Sequence, residues 1–138
     1  MDTIINNLPL PEELTVAIAN QVWQTPEDPA DWNTLFTHGE IDQPTLYSLQ
    51  GMQGETTWLK TAGAAYHGNT NEGFVPGDID PNRTIVIGDL GPDRLIALDF
   101  RESVSRPTVV ALTSTEHSCW VIVANDIASF MKAIRLKE

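Results

Sequence analysis

Asp78-Ile79-Asp80-Pro81-Asn82 spaces side-chain oxygens at alternate positions, as the start of a calcium-binding loop does. Such a loop needs a glycine at its sixth position and a bidentate glutamate at its twelfth. This chain has Arg83 and Asp89 there, with strand-like residues filling the second half. The segment therefore reads as a turn. His117-Ser118-Cys119 sets a base two residues from a thiol, the raw material of a nucleophile. No acid stands nearby to orient the imidazole, and Cys119 opens an apolar run, so the thiol reads as core. His38 and His67 are isolated, which leaves no zinc-ligand spacing. Gly88-Asp-Leu-Gly-Pro-Asp93 is glycine-rich but opens no helix, so it lacks the amide cluster that cradles phosphate. Asp89 and Asp99 lie across one hairpin, a spacing that in principle permits paired catalytic carboxylates, yet acidic residues at strand ends more often pair with neighbours such as Arg94 and Arg101. No catalytic, cofactor or metal site is expected, and Trp23, Trp32, Trp58 and Trp120 read as core or groove packing.

These residues must be held by a platform, and the stretch from Thr84 to Ala124 supplies it. Four short apolar runs, Thr84–Ile87, Leu95–Phe100, Pro107–Leu112 and Cys119–Ala124, read as strands separated by turn chemistry. Connections this short make neighbouring strands antiparallel. Upstream, Met1 to Leu10 reads as an irregular lead-in. Pro11 suits the first position of a helix, Glu12 and Glu13 favour its positive end, and Leu14, Ala17, Ile18 and Val22 share one face. The helix should stop at Thr25-Pro26-Glu27-Asp28-Pro29. A second helix is expected from Ala30 or Asp31 to His38-Gly39, so two helices precede the sheet. Pro44–Leu49 is read as a strand and Thr57–Ala62 as part of a helix. His67–Gly73 and Val75–Asn82 are read as loops. At the end, Asn125-Asp126 supplies a helix N-cap, followed by the apolar stripe Ile127, Phe130, Met131 and Ile134, which should pack across the sheet.

Composition restricts the class of protein. A chain of 138 residues, 41% of them hydrophobic, buries a core as one domain over residues 1–138 without disulfides or metals. A single cysteine fits a reducing compartment. No basic-then-apolar leader and no membrane-spanning run is present in the sequence, so a cytoplasmic protein is expected. The net charge of −11 and the isoelectric point near 4.4 argue against nucleic acid or an anionic membrane as the direct partner.

Ile85-Val-Ile-Gly-Asp89, Leu95-Ile-Ala-Leu-Asp-Phe-Arg101, Pro107-Thr-Val-Val-Ala-Leu112 and Trp120-Val-Ile-Val-Ala-Asn-Asp-Ile-Ala-Ser-Phe130 together resemble the signature of the SUKH superfamily. Its hallmarks are an Ile-Gly-Asp-like turn after one strand and a Leu-Asp ending to the next. A strand with a Pro-Val start follows, then a closing helix with Asp and Phe near its beginning. Trp32, Leu35, Phe36 and Leu46-Tyr47 resemble the upstream part loosely. The family's Leu-Pro-x-x-Tyr helix and following Asn-Gly-Gly are absent, Leu10-Pro11 being the nearest remnant.

The resemblance implies a single α+β domain: a central, mostly antiparallel sheet flanked by N-terminal helices and one C-terminal helix, with no enzymatic activity. Bacterial members act as immunity proteins that bind a secreted or contact-delivered toxin, often a nuclease or deaminase. Fungal relatives are cell-wall-assembly regulators, so a regulatory or scaffolding protein-binding module without a toxin is the alternative. Joined to the net charge, the family role implies a basic toxin domain as partner. The expected contact surface is acidic, formed by Asp78, Asp80, Asp89 and Asp93 in two loops that flank one hairpin.

Overall fold

The computed structural model describes residues 3–25, 32, 44–62, 64–68, 76–91, 94–112 and 119–134. Apart from Trp32, the expected helix from Ala30 to Gly39 lies outside them, as do Asp93 and His117. A β-hairpin replaces the irregular lead-in: β1 (Ile4–Ile5) pairs antiparallel with β2 (Leu8–Pro9). The two residues between them, Asn6 and Asn7, have φ of 57° and 61°. That double left-handed turn matches the twist of the flanking strands, and asparagine tolerates it better than most residues. Asn6 also pins the hairpin, its Nδ2 donating to the carbonyls of Pro81 (2.9 Å) and Thr84 (3.0 Å).

Helix α1 (Glu12–Ala19) starts behind Pro11 and buries Leu14 and Ala17. It ends well before the expected stop at Thr25–Pro29. Gln21 turns left-handed at φ 59°, and the Val22 amide folds back onto the Ala17 carbonyl at 2.9 Å. This is a Schellman-type ending made without glycine.

Strand β3 (Thr45–Leu46) leads directly into α2 (Leu49–Thr61), whose N-cap, Ser48, accepts from the Gly51 amide at 3.1 Å. The expected strand and helix in this region both exist, the strand shorter and the helix longer than read. A short helix, α3 (Ala64–His67), follows, so His67 closes a helical turn instead of opening a loop. The segment read as loop from Val75 to Asn82 contains β4 (Pro76–Gly77) and a 3₁₀ turn at Pro81–Arg83. β4 is two residues long and shows no measurable period, which is why the sequence pattern misses it.

The four expected strands are present as β5 (Thr84–Asp89), β6 (Leu95–Asp99), β7 (Thr108–Leu112) and β8 (Trp120–Ala124). They form a meander inside a six-stranded sheet of order β3-β5-β6-β7-β8-β4, with every pair antiparallel. Helix α4 (Ile127–Ala133) closes the described chain. The fold class is α+β, as expected.

Both sheet faces are covered, which explains why these strands are nearly continuous apolar runs. On one face Ile85, Ile87, Ile96, Leu98, Val109 and Ala111 pack with Leu14 of α1 and with Ile127, Phe130 and Ile134 of the closing helix. Trp32 is fully buried there, edge-on to Phe130 with ring centroids 6.1 Å apart. On the other face Val86, Ala97, Val110, Leu112 and Trp120 pack with Leu59 of α2 and with Ile79. Burying an aliphatic side chain of this size contributes roughly 1.5–3 kcal/mol, so this double layer dominates the stability. Among the described residues, no helix is long and apolar enough to cross a membrane.

Candidate functional site

The expected acidic surface divides into two places. Asp78 and Asp80 sit just before β5, whereas Asp89 ends it. Five strand steps separate Thr84 from Asp89, roughly 16 Å. Asp93 lies outside the described residues. The described carboxylates thus flank the β5–β6 hairpin from its base and its tip, and they form no single cluster.

At the base, Arg101 organises the charges. Its Nη1 donates to Asp78 Oδ1 at 3.0 Å and its Nη2 to the Asp78 carbonyl at 2.7 Å. Its Nε and Nη2 grip the Asp99 carboxylate at 3.0–3.3 Å. Hydrogen bonding to Asp99 is the main reason the Arg101 pKa rises, and Asp78 adds to it. One guanidinium therefore serves two carboxylates, leaving a local surplus of one negative charge. Residues 99 and 101 at a strand end project to the same side, so the Asp99–Arg101 half of this clamp follows from spacing. Asp78 joins from 23 positions away, which no local pattern reveals. Asp80 caps the 3₁₀ turn, Oδ1 accepting the Asn82 amide at 3.0 Å. The Thr84 hydroxyl donates to the Asp80 carbonyl at 2.7 Å, fixing the turn to the start of β5.

At the tip, Asp89 holds its loop and an aromatic neighbour. The Tyr47 hydroxyl donates to Asp89 Oδ2 at 2.5 Å, and the Gly91 amide donates to Oδ1 at 3.1 Å. Burial, followed by the hydrogen bond to the adjacent carboxylate, pushes the Tyr47 phenol far above its ordinary range. Tyr47 is thus a permanent donor at neutral pH.

The other chemistry-bearing residues occupy structural positions. His67 places Nε2 2.7 Å from the Leu59 carbonyl, and its own carbonyl accepts the Ile79 amide. Cys119 is fully buried, as expected for a structural thiol, and so is Trp120. The Trp120 indole donates to the Tyr66 carbonyl at 3.0 Å, and its ring lies in the cluster with Leu59, on the face away from α4. Trp58 corrects the expectation that every tryptophan packs in the core or a groove. It is 41% exposed on α2, edge-on to Tyr66 at 4.9 Å. Among the described residues, no group of three or more His, Cys, Asp and Glu could hold a metal ion.

No protein-family model, curated protein or solved structure matches this chain.

Proposed function

We propose that this protein is a non-enzymatic cytoplasmic immunity protein that binds a basic toxin domain, a nuclease or deaminase, and covers its active groove. The observation that carries the reading is the display of Asp78, Asp80 and Asp89 on backbone fixed by caps, the Arg101 clamp and the sheet, on a chain of net charge −11. Preorganised carboxylates attract a cationic partner without an ordering cost at the moment of contact. The resemblance of the Ile85–Phe130 segment to the SUKH signature supports the same role. Inhibition would be steric, the acidic surface standing where the toxin's nucleic-acid substrate would lie.

The test is to sequence the genes beside this one for a toxin domain, then to measure protection of cells expressing that domain and association kinetics on the purified pair. Raising salt from low to physiological levels should slow association about tenfold or more while changing dissociation less. Asp80→Asn and Asp89→Asn keep an acceptor at each cap and should reproduce part of that slowing. Unprotected cells, with both proteins folded and expressed, would refute the immunity role. Tight binding indifferent to salt and to both substitutions would refute the charge mechanism.

A further inference from the structure

Charge accelerates an encounter, but lifetime in a complex comes mainly from apolar side chains buried in a pocket. The exposed side of α1 has the form such an anchor needs. Val16 stands 49% exposed between two grooves and lines both. One, of about 600 Å³, lies between α1 and α4, with Val16, Ala17, Val22, Ala128 and Met131 as its apolar lining. The other, of about 440 Å³, lies between α1 and the β6–β7 connection, where Val104 is 50% exposed. Glu12 lines both grooves and Glu13 the first. Both glutamates are exposed, and among the described residues neither is in a salt bridge. Lys132 on the α4 wall is the one cation lining the larger groove among the described residues.

We propose that this double groove docks an amphipathic helix of the protein partner, its aliphatic face seated around Val16 and a basic residue reaching Glu12 and Glu13. This rests on the reading of the protein as a binder of a basic partner, and it names the surface that holds that partner. The two carboxylates at one end and Lys132 across the groove make the charge pattern directional, so a helix with its basic flank toward α1 fits and the reverse does not. The β1–β2 hairpin links this surface to the base of the acidic hairpin. Thr3 and Pro9 line the smaller groove, while Asn6 holds the Pro81 turn that Asp80 caps. The Thr3–Pro9 end of the smaller groove is therefore about three strand residues, roughly 10 Å, from Asn6, whose side chain holds the turn that Asp80 caps. Steering and anchoring would then use adjacent surfaces.

The experiment titrates the full ¹⁵N-labelled chain with a synthetic helical peptide carrying leucines on one face and lysines on the other. The control peptide has the same composition with leucines spread around the helix. The proposal expects saturating amide shifts confined to Glu12–Val22, Val104–Ser105 and Ala128–Lys132, with affinity at least tenfold above the control. Val16→Asn should weaken binding about fivefold, since roughly half of a valine's burial is lost. Glu12→Gln with Glu13→Gln should weaken it further. Both sites are exposed, so unchanged melting curves check the fold. Equal binding of the two peptides, or shifts centred on Asp78, Asp80 and Asp89, would mean charge attraction alone and overturn the groove. Concentration-dependent shifts of the same amides without peptide would assign the groove to a second copy of the chain and also overturn the proposal. Cell protection by Val16→Asn at wild-type level would leave the immunity reading intact while removing the groove from it.

Discussion

A methyl group added at Gly88 should cost this protein a measurable part of its stability. A Cβ built there would lie 2.5 Å from the Thr45 carbonyl oxygen and 3.5 Å from the Leu46 Cα. Both are backbone atoms of β3, so no side-chain rotation relieves the clash. Either the strand pair deforms, at about 1–3 kcal/mol for overpacking of this kind, or β3 detaches. Detachment would expose Leu46, now 8% accessible, and break the Tyr47 amide bond to the Ile87 carbonyl. Those losses amount to roughly 3 kcal/mol. The expected cost of Gly88→Ala is therefore about 2–3 kcal/mol. For 138 residues, an unfolding entropy of about 2.1 cal/mol/K per residue converts this to a fall in Tm of roughly 7–10 °C. Gly54→Ala is the matched control. It lies inside α2 with nothing within 4 Å of a new Cβ, so it should stabilise by about 0.5–1 kcal/mol. Thermal and urea unfolding of the three proteins would show opposite signs, and amide exchange at Leu46 and Tyr47 would report whether β3 has lifted. An unchanged Tm for Gly88→Ala would refute the close approach of β3 to β5.

Gln21→Gly should stabilise the protein by about 1 kcal/mol, because the left-handed conformation at the end of α1 costs every residue but glycine about that much; urea midpoints compare the two proteins. Asp126→Ala should cost about 1 kcal/mol, since Oδ1 accepts the Ser129 amide at 2.7 Å as the α4 N-cap. The Arg106 bridge to Asp126 adds little, with Arg106 76% exposed. The Ser129 amide also holds the Asp126 carboxyl below its ordinary pKa. Its stabilisation is thus complete above about pH 4 and fades as pH falls through the lowered folded-state value, so the acid limb of stability against pH should flatten in Asp126→Ala. Tyr47 behaves oppositely. Its raised folded-state pKa gives stability that is full below about pH 10 and lost as pH climbs above it. Tyr47→Phe should therefore remove part of the alkaline destabilisation, read from unfolding curves between neutral and strongly alkaline pH.

The parts of the fold that were legible in the sequence are those whose signal is repeated over several residues. β5 to β8 each contribute five or six residues of apolar run, and α4 combines a capping aspartate with a buried stripe. The elements that escaped are decided by one or two backbone angles: the Asn6-Asn7 turn, the left-handed Gln21, and the two-residue pairing of β4. Among the candidate site residues, the pairing of Asp99 with Arg101 was readable from alternate positions. The contacts of Asp78 with Arg101 and of Asp89 with Tyr47 join residues 23 and 42 positions apart, and only the assembled sheet brings them together. The separation of Asp78 and Asp80 from Asp89 has the same origin, because it depends on the direction in which β5 runs between them.

The Thr56 hydroxyl that accepts the Val86 amide at 2.9 Å lets a helix do the work of a strand. β3 pairs with only the last two residues of β5, the Tyr47 amide reaches on to the Ile87 carbonyl, and α2 packs beside the remainder, Thr84-Ile-Val86. That remainder is uncharged and β-branched throughout, the composition of segments that stack into cross-β assemblies when their edge is bare. Meanwhile α2 carries Gly51 in its first turn and Gly54 in its interior, which weaken it as a helix. Warming should therefore lift α2 before the sheet melts and expose an adhesive edge. The recovery of native protein after heating will then depend on concentration, with dilute samples refolding and crowded ones aggregating.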